Sequence, residues 1–261
     1  MRENFTRRAE LPQTNSHRAV LLWTLYGVLM AGLLAAFTIC DFREQILLAN
    51  RLKFTSIGVN TVALVWALVA GQYLIRERRN GLRAVALFFT LAADVFLILL
   101  DAHYLAGVLL FCVVETLYFL SIRRPLKLWI RALIRAAIFL TGLAIVAAVG
   151  ALDVLTGASV YSMVMLSANV VEAMGEAKGL KREETNESSH GSKLQTILFA
   201  VGLALFWLCD ASVGLRNLPS YLPGEAANLL ANLAGYAIWW FYLPAQILIF
   251  LSGVVKGSKH E

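Results

Sequence analysis

Two aspartates lie within long apolar runs of the sequence. Asp94 is part of LFFTLAADVFLILLD, and Asp210 is part of LFWLCDASVGLRN. A carboxylate inside a membrane-spanning helix costs about 2.5–3.5 kcal/mol on insertion scales, so a functional role is the default expectation. Two carboxyl groups in unequal environments can act as an acid and an anion, because burial or mutual repulsion keeps one of them protonated. The two residues therefore indicate acid–base chemistry or proton movement within a membrane.

Further polar residues accompany the two aspartates. Asp101 follows Asp94 by seven residues, close to two helical turns, and so shares its face. Glu115 and Tyr118 are three residues apart and also share a face. We expect a polar cavity in a helical bundle, with Asp94 and Asp210 as catalytic groups. The candidate substrate-binding residues are Glu115, Tyr118, Tyr161, Asn169, Tyr242, Gln246 and Asp101.

A structural role is the alternative for each of these carboxyl groups. Asp210 would then accept a hydrogen bond from a Tyr or Asn, or pair with Arg216, and so fix the packing of helices. Glu115 and Glu172 would reach the membrane surface or meet basic residues. The functional interpretation is favoured because the two aspartates are predicted at comparable depth.

The elements that position these residues are predicted to be transmembrane helices. The chain of 261 residues is 59% apolar and only 15% charged. A bilayer core requires about 20 mostly apolar residues per helix, and backbone in lipid must be helical or form a closed barrel. We predict an all-α polytopic membrane protein whose single domain, residues 19–253, is a bundle of eight helices. They are expected at 19–40, 53–75, 82–100, 103–121, 129–149, 151–173, 194–214 and 228–253.

The distribution of positive charge predicts the orientation. Only four of the 23 Lys and Arg residues, Arg43, Arg51, Lys53 and Arg216, fall on one side of the predicted membrane. The other side is expected to be cytoplasmic and to hold both termini. We expect tails at 1–18 and 254–261, a flexible cytoplasmic loop at 175–193, and an integral, multi-pass protein of a bacterial plasma membrane. The net charge of +6 requires no nucleic-acid partner, since topology and anionic headgroups account for it.

Several other chemistries lack their residues. A zinc site needs three or four protein ligands, whereas the four His residues are scattered and only His103 is near the predicted outer carboxyl groups. The GxSxG, phosphate-loop and GxGxxG motifs do not occur. Cys40, Cys112 and Cys209 show neither CxxC spacing nor a disulfide pattern. What remains is carboxylate chemistry, and we expect no metal site.

Four segments resemble the YhhN-like lysoplasmalogenases in order and spacing. Asp94, Asp210, Tyr242 and Gln246 fall on the matching positions of the family's motifs. The segments are ADVFLILLDAHYLAGVLLFCVVETLYF (93–119), VYSMVMLSANVVEAM (160–174), LFWLCDASVGLRN (205–217) and FYLPAQILIFLS (241–252).

The chain also departs from the family's pattern. Ala93 replaces the Gly before the first Asp, Cys209 replaces the Ser before the second, and Glu115 occupies a polar His position. The chain therefore resembles a divergent branch of the family.

The resemblance implies hydrolysis of the vinyl ether bond of a lysoplasmalogen, giving a fatty aldehyde and a glycerophospho-headgroup without a cofactor. The expected partners are this membrane lipid and the bilayer. Asp94 would be the protonated acid and Asp210 the anion that stabilises the cation and orients water, and the reverse assignment stays open.

A proton-coupled transporter or a lipid-binding protein without catalysis is the alternative function. Buried carboxylates serve as proton relays in transporters. Asp94 is followed by YLAG (104–107), and Asp210 is followed at nearly the same interval by YLPG (221–224). Such an echo is consistent with a parallel duplication of four-helix halves.

Overall fold

The computed structural model describes most of the chain. The described residues are 16–71, 73, 78–100, 102–123, 126–182, 190–217, 219 and 224–254, with side chains omitted at 16–20, 180–182 and 190–192. Within these ranges every regular element is a helix. The predicted tail at 1–18, the tail at 254–261 and the YLPG segment fall largely outside the described residues.

Eight α-helices make up the described chain. They are α1 (Ser16–Phe42), α2 (Ile46–Val69), α3 (Arg78–Asp94), α4 (Tyr104–Ser121), α5 (Leu128–Ala148), α6 (Val154–Arg182), α7 (His190–Arg216) and α8 (Glu225–Val254). A five-residue π-helix, Val95–Leu99, continues α3. All eight are long and apolar enough to cross a membrane, which confirms the predicted all-α membrane fold.

Helix α2 begins seven residues earlier than predicted. Arg51 and Lys53 suggested a polar boundary at residue 53, but a turn in which Glu44 adopts a left-handed conformation (φ 58°) ends just before Ile46. The helix also ends earlier, at Val69, before Gly71 with a φ of 65°. Glycine is favoured there because a left-handed residue at a helix end carries no Cβ penalty.

Helix α6 continues nine residues beyond its predicted end. The segment 175–182 is helical and not a flexible loop, and α7 begins at His190, so only 183–189 of the predicted loop lies outside the described residues. Six of the eight residues in this extension, GEAKGLKR, are strong helix formers, and only its two glycines are poor ones. Glu176 also pairs with Arg79 of α3 and accepts a hydrogen bond from the backbone N–H of Arg123 at 3.1 Å.

Backbone contacts divide the chain into two compact units, residues 1–52 and 53–261. The described part of the first unit contains α1 and the beginning of α2. In the second unit, α7 packs along α8, α3 along α4, and α6 against α4, α5 and α7, while α3 also contacts α8. The carboxyl groups considered below belong to this second unit.

The packing around the π-helix requires a glycine. A Cβ atom on Gly107 of α4 would lie 2.5 Å from Cγ of Leu97 in the π-helix. Gly107 therefore lets α4 approach the segment that directly follows Asp94. π-Helical turns within α-helices are frequent at functional sites.

Candidate functional site

Asp94 and Tyr242 form a buried contact between α3 and α8. The Tyr242 hydroxyl donates a hydrogen bond to Oδ2 of Asp94. Asp94 is only 3% exposed and Tyr242 only 5% exposed. A buried carboxyl group needs such a donor, because an unpaired polar group in an apolar interior loses the hydrogen bonds that water would supply.

A cavity of about 20 Å³ adjoins this contact. Its volume suits one water molecule, which needs about 10–15 Å³ and two to four polar partners. The lining comes from three helices: Ile57, Asn60 and Thr61 of α2, Leu87, Thr90, Leu91 and Asp94 of α3, and Tyr242, Leu243 and Gln246 of α8. The cavity thus presents a carboxyl group, hydroxyl groups and amides to a small polar molecule.

Gln246 provides an open hydrogen-bond donor to this cavity. Its Nε2 atom is buried and has no hydrogen-bond partner among the described residues. Buried polar atoms of this kind are usually satisfied by ordered water. The open donor and the cavity volume therefore support a water site beside Asp94.

Asp210 lies in a different part of the interior. It is half-buried on α7, outside the cavity lining given above, and its carboxyl group is close enough to that of Glu115 on α4 for like-charge repulsion. The preceding residue, Cys209, interacts electrostatically with Asp94 as well as with Asp210. Both aspartates are therefore in electrostatic range of Cys209.

Glu115 is held by Asn169 of α6. The Asn169 side-chain N–H₂ group donates to Oε2 of Glu115 and to its backbone oxygen, both at 2.9 Å. Both residues are almost fully buried, at 1% and 0% exposure. The oxygen of the Asn169 amide accepts a hydrogen bond from Arg135 of α5 at 3.2 Å.

Arg135 belongs to a cluster of three charged residues. Glu172 of α6 accepts hydrogen bonds from both Arg131 and Arg135, the second at 2.8 Å. The ring of Phe119 lies 4.6 Å from the guanidinium carbon of Arg131 and 4.2 Å from that of Arg135. Glu172 therefore pairs with basic residues. This is one of the structural roles that the sequence analysis gave as the alternative for this residue.

The remaining predicted site residues have varied positions. Tyr118 is buried, packs edge-on against Phe199, and is in electrostatic range of Glu115 and Tyr242. The Tyr161 hydroxyl instead shares a hydrogen bond with Thr116 at 2.9 Å. Asp101 lies outside the described residues. Tyr118 therefore connects the Asp94 and Glu115 groups, whereas Tyr161 joins α6 to α4.

Several polar residues of this region were not predicted as site residues. Asn60 and Thr61 line the cavity, and their signal was visible as two adjacent polar residues in the apolar run of α2. Arg131 and Arg135 were interpreted only as markers of the cytoplasmic side. Their spacing of four residues, which places both on one face of α5, could have indicated a shared acidic partner.

Asp153, outside the membrane-spanning segments, has a local role. Its Oδ1 atom accepts a hydrogen bond from the backbone N–H of Thr156 at 2.6 Å, at the start of α6. This hydrogen bond lowers the pKa of Asp153. The residue is therefore the N-cap of α6, far along the chain from either site aspartate.

These features define a polytopic helical membrane protein with carboxyl groups in its interior. In the described part of the chain, no group of three His, Cys, Asp or Glu residues is arranged to hold a metal ion. Residues 52–253 match the model of the YhhN family, so the chain belongs to this family. The match confirms the resemblance seen in the sequence. No curated protein and no solved structure matches the chain.

Proposed function

We propose that this YhhN-family protein is an integral-membrane hydrolase that cleaves the vinyl ether bond of lysoplasmalogens. The products are a fatty aldehyde and a glycerophospho-headgroup. The observation that carries this proposal is the buried Asp94, hydrogen-bonded by Tyr242 beside a cavity of about 20 Å³. Acid-catalysed hydration of a vinyl ether requires one acid, one water molecule and a stabilised cation.

Asp94 is the acid in this proposal. Because Tyr242 donates to Oδ2, Oδ1 is the oxygen left to hold a transferable proton. That proton adds to the β-carbon of the vinyl ether, whose π electrons form the new C–H bond, and an oxocarbenium ion results. A proton donor positioned in this way typically contributes about 10²- to 10⁴-fold to the rate.

Water then captures the cation. The water oxygen bonds to the cationic carbon, and the proton that it loses returns to the Asp94 carboxylate. The hemiacetal then breaks its bond to the glycerol oxygen, the proton of its hydroxyl group passes to that oxygen, and the C=O bond of the aldehyde forms. The cavity beside Gln246 holds the water before attack. Asp210, which follows Cys209 in the chain, provides the negative charge that stabilises the cation.

The substrate enters from the bilayer with its tail still among lipid chains. A single-chain lipid fits this route, because only the glycerol region must reach the polar interior. Apolar surface is abundant on these helices, and large exposed apolar side chains occur on all of them. In our proposed orientation, Asp94 lies in the outer half of the membrane and both termini are cytoplasmic.

The test compares two lipids that differ only in the bond at the first glycerol carbon. Purified protein in nanodiscs is incubated with a lysoplasmalogen or with the matched ester lysophospholipid, and aldehyde and fatty acid are quantified by mass spectrometry. We expect aldehyde from the vinyl ether and no fatty acid from the ester. In Asp94→Asn the rate should fall by about 10²-fold or more.

Asp153→Asn is the matched control, since it removes another carboxylate at an exposed helix start. It should retain the rate of the unmodified protein. An undiminished rate in Asp94→Asn would refute Asp94 as the acid. Lipid that stays intact while protons and lipid cross proteoliposomes together would instead establish the transporter.

A further inference from the structure

Arg83 of α3 is a buried cation without an acidic partner in the described part of the chain. It is only 2% exposed, and its Nε and Nη2 atoms are buried and have no hydrogen-bond partner there. Its guanidinium carbon lies 3.6 Å from the centre of the Phe199 ring of α7. This contact holds the guanidinium group in place but offers it no oxygen acceptor. Because arginine stays protonated, Arg83 is a buried positive charge with two open donors.

The two open atoms are the donor pair with which other arginines of this protein bind carboxylates. Arg131 donates from Nε and Nη2 to the carboxylate of Glu172. Arg79, four residues before Arg83, donates from Nη2 to Glu176 and from Nε to a backbone oxygen. These two N–H bonds match two oxygens of one oxyanion. The same edge of Arg83 is therefore shaped for an oxyanion, and Glu176 is already bound by Arg79.

Two further residues add open donors. Asn80 precedes Arg83 by three residues on α3, so the two side chains share a face. Asn80 is 1% exposed and Tyr73 is 3% exposed. The Nδ2 atom of Asn80 and the hydroxyl group of Tyr73 are both buried and have no hydrogen-bond partner among the described residues. Buried donors are normally satisfied, so these residues also indicate a bound acceptor.

Tyr73 packs at the same level of the bundle as the guanidinium group. A Cβ atom on Gly253 of α8 would overlap the Tyr73 ring, and a Cβ atom on Gly202 of α7 would lie 2.8 Å from Cγ1 of Ile249. Consecutive helices joined by a short connection run antiparallel. Phe199, three residues before Gly202, is therefore level with Gly253, four residues after Ile249. The Phe199 ring carries the guanidinium group, so the open donors belong to one region.

These donors are too far from Asp94 to bind the headgroup of a reacting substrate. Arg83 precedes Asp94 by eleven residues, about three turns and about 16 Å along α3, and its long side chain leans towards the start of the helix. The six bonds from the vinyl ether carbon of a lysoplasmalogen to its phosphorus atom span at most about 8 Å. A lipid whose vinyl ether is at Asp94 therefore cannot place its phosphate on Arg83.

We propose that Arg83 and Asn80 bind a phosphate group at a second site, with Tyr73 as a third donor residue. A lipid headgroup and free phosphate both supply this chemistry, because each presents two oxygens to the Nε–Nη2 edge. Arg83 is about 7–8 Å along α3 from Arg78, near the membrane boundary where lipid phosphates lie. We expect this boundary to be cytoplasmic, where basic pockets between helices bind headgroups. The site does not depend on the proposed hydrolysis.

Thermal unfolding tests the site in a maltoside detergent, which contains no phosphate. The probes are phosphatidic acid, diacylglycerol with the same chains, and inorganic phosphate. At about 100-fold above Kd, phosphatidic acid should raise Tm by about 5 °C or more, whereas diacylglycerol should not. An equal rise with inorganic phosphate alone would identify free phosphate as the source, and no rise with it would identify the lipid. No rise with either phosphate compound would overturn the proposal.

Arg83→Lys keeps the charge but loses the paired donors of the guanidinium edge. We expect the Kd for the phosphate compound to rise about tenfold or more, the effect of one hydrogen bond to a charged group. Arg78→Lys is the matched control, because Arg78 is exposed on the same helix; its Kd should stay within about twofold. Equal weakening in both variants would show only general attraction between charges and would refute the site.

Asn80→Asp covers the case in which Arg83→Lys does not fold. The variant places a carboxylate one helical turn from Arg83, within reach of its open edge. Without phosphate, its Tm should exceed that of the unmodified protein, and its response to phosphatidic acid and to inorganic phosphate should disappear. A lower Tm would show that a buried carboxylate meets no open cation there, and a retained response would show that phosphate binds elsewhere. Either result would contradict the proposal.

Discussion

The Tyr242 hydroxyl donates a hydrogen bond to Oδ2 of Asp94, although the two residues are 148 positions apart in the sequence. This contact ties α8 to α3 and occupies Oδ2 of the Asp94 carboxyl group. Tyr242 also packs edge-on against Trp239 at a centroid distance of 5.5 Å, and its ring is tilted against that of Phe206 at 6.0 Å. The aromatic contacts restrict the ring and hold its hydroxyl group towards Asp94.

Tyr242→Phe should lower turnover without unfolding the protein. The variant keeps the aromatic packing and removes the donor to Asp94, so we expect the rate of aldehyde formation to fall about 10- to 100-fold. The loss of one hydrogen bond should lower the free energy of unfolding by about 1 kcal/mol. Both quantities are measurable on the same nanodisc preparation, by mass spectrometry and by thermal unfolding.

Tyr236→Phe is the control for this variant. Tyr236 is on the same helix but is 45% exposed, so the same chemical change should leave turnover within about twofold, the scatter typical of surface substitutions. Equal rates in Tyr242→Phe and Tyr236→Phe would mean that the contact with Asp94 has no part in the reaction.

Gln246→Met should separate activity from stability. The substitution keeps the approximate length and volume of the side chain and removes the open Nε2 donor that faces the cavity. Turnover should fall about tenfold or more if this donor holds the attacking water. The free energy of unfolding should stay the same or rise by about 1 kcal/mol, because an unsatisfied buried donor is lost.

Turnover and the free energy of unfolding, measured together, show which role Gln246 has. A parallel fall in turnover and stability would indicate that Gln246 only supports packing. Retained turnover would show that the water site beside Asp94 is not used.

The sequence predicted that polar residues lie in the interior of the bundle. It did not predict which of these residues contact each other. Asp94, Tyr242 and Gln246 were recognised as candidates, and the structure brings these three residues to one cavity. The hydrogen bonds from Asn169 to Glu115 were not predicted. Lipid-facing and protein-facing sides of these helices are both apolar, so no amphipathic pattern reveals how each helix is rotated about its axis.

Helix ends were harder to predict where charged residues continue a helix. Arg51 lies within α2, and Lys178 lies within α6, because exposed charged side chains near helix ends reach the polar surface while their backbone stays helical. The π-helix after Asp94 has no sequence signal of its own, and its Leu97 side chain packs where a Cβ on Gly107 would lie.

Glu172→Gln should strongly destabilise the protein. Glu172 is the shared acidic partner of Arg131 and Arg135, whose side chains are 5% and 6% exposed. Removing its charge leaves two buried guanidinium groups without a counter-charge, at a cost of about 3 kcal/mol or more. Thermal unfolding in nanodiscs should show a clearly lower Tm.

Glu225→Gln removes the same charge from an exposed position at the start of α8. It should change the free energy of unfolding by less than about 1 kcal/mol, the usual size of a helix-dipole effect. Similar Tm values for the two variants would show that the cluster on α5 and α6 contributes little.

Gly202→Ala should weaken the packing of α7 against α8. A Cβ atom at this position would lie 2.8 Å from Cγ1 of Ile249, 3.1 Å from its backbone nitrogen and 3.2 Å from the backbone oxygen of Ala245. Two of these atoms belong to the backbone and cannot rotate away. We expect a loss of about 1–3 kcal/mol, the usual cost of overpacking, measurable by thermal unfolding.

Gly58→Ala is the matched control within α2. No atom lies within 4 Å of the corresponding Cβ position. Here the better helix propensity of alanine should leave stability unchanged or raise it by up to about 1 kcal/mol. A destabilisation of equal size at both glycines would show that close approach of α7 and α8 is not the cause.

Asp153→Ala should lower stability in a way that depends on pH. The hydrogen bond from the Thr156 backbone N–H lowers the pKa of Asp153 in the folded protein. A group with a lowered folded pKa stabilises the fold above its unfolded pKa, about 3.9 for Asp, and this contribution disappears as the pH falls through the folded value. The Tm of the unmodified protein should therefore exceed that of Asp153→Ala at about pH 7 and converge towards it below about pH 4.

Asp153→Asn distinguishes the charge from the cap. Its side-chain oxygen can still accept from Thr156, but it does not titrate in this range. Its Tm should lie above that of Asp153→Ala at every pH, and the difference between these two variants should not change with pH. A constant difference between the unmodified protein and Asp153→Ala, from neutral pH to below about pH 4, would show that ionisation of Asp153 does not contribute to the start of α6.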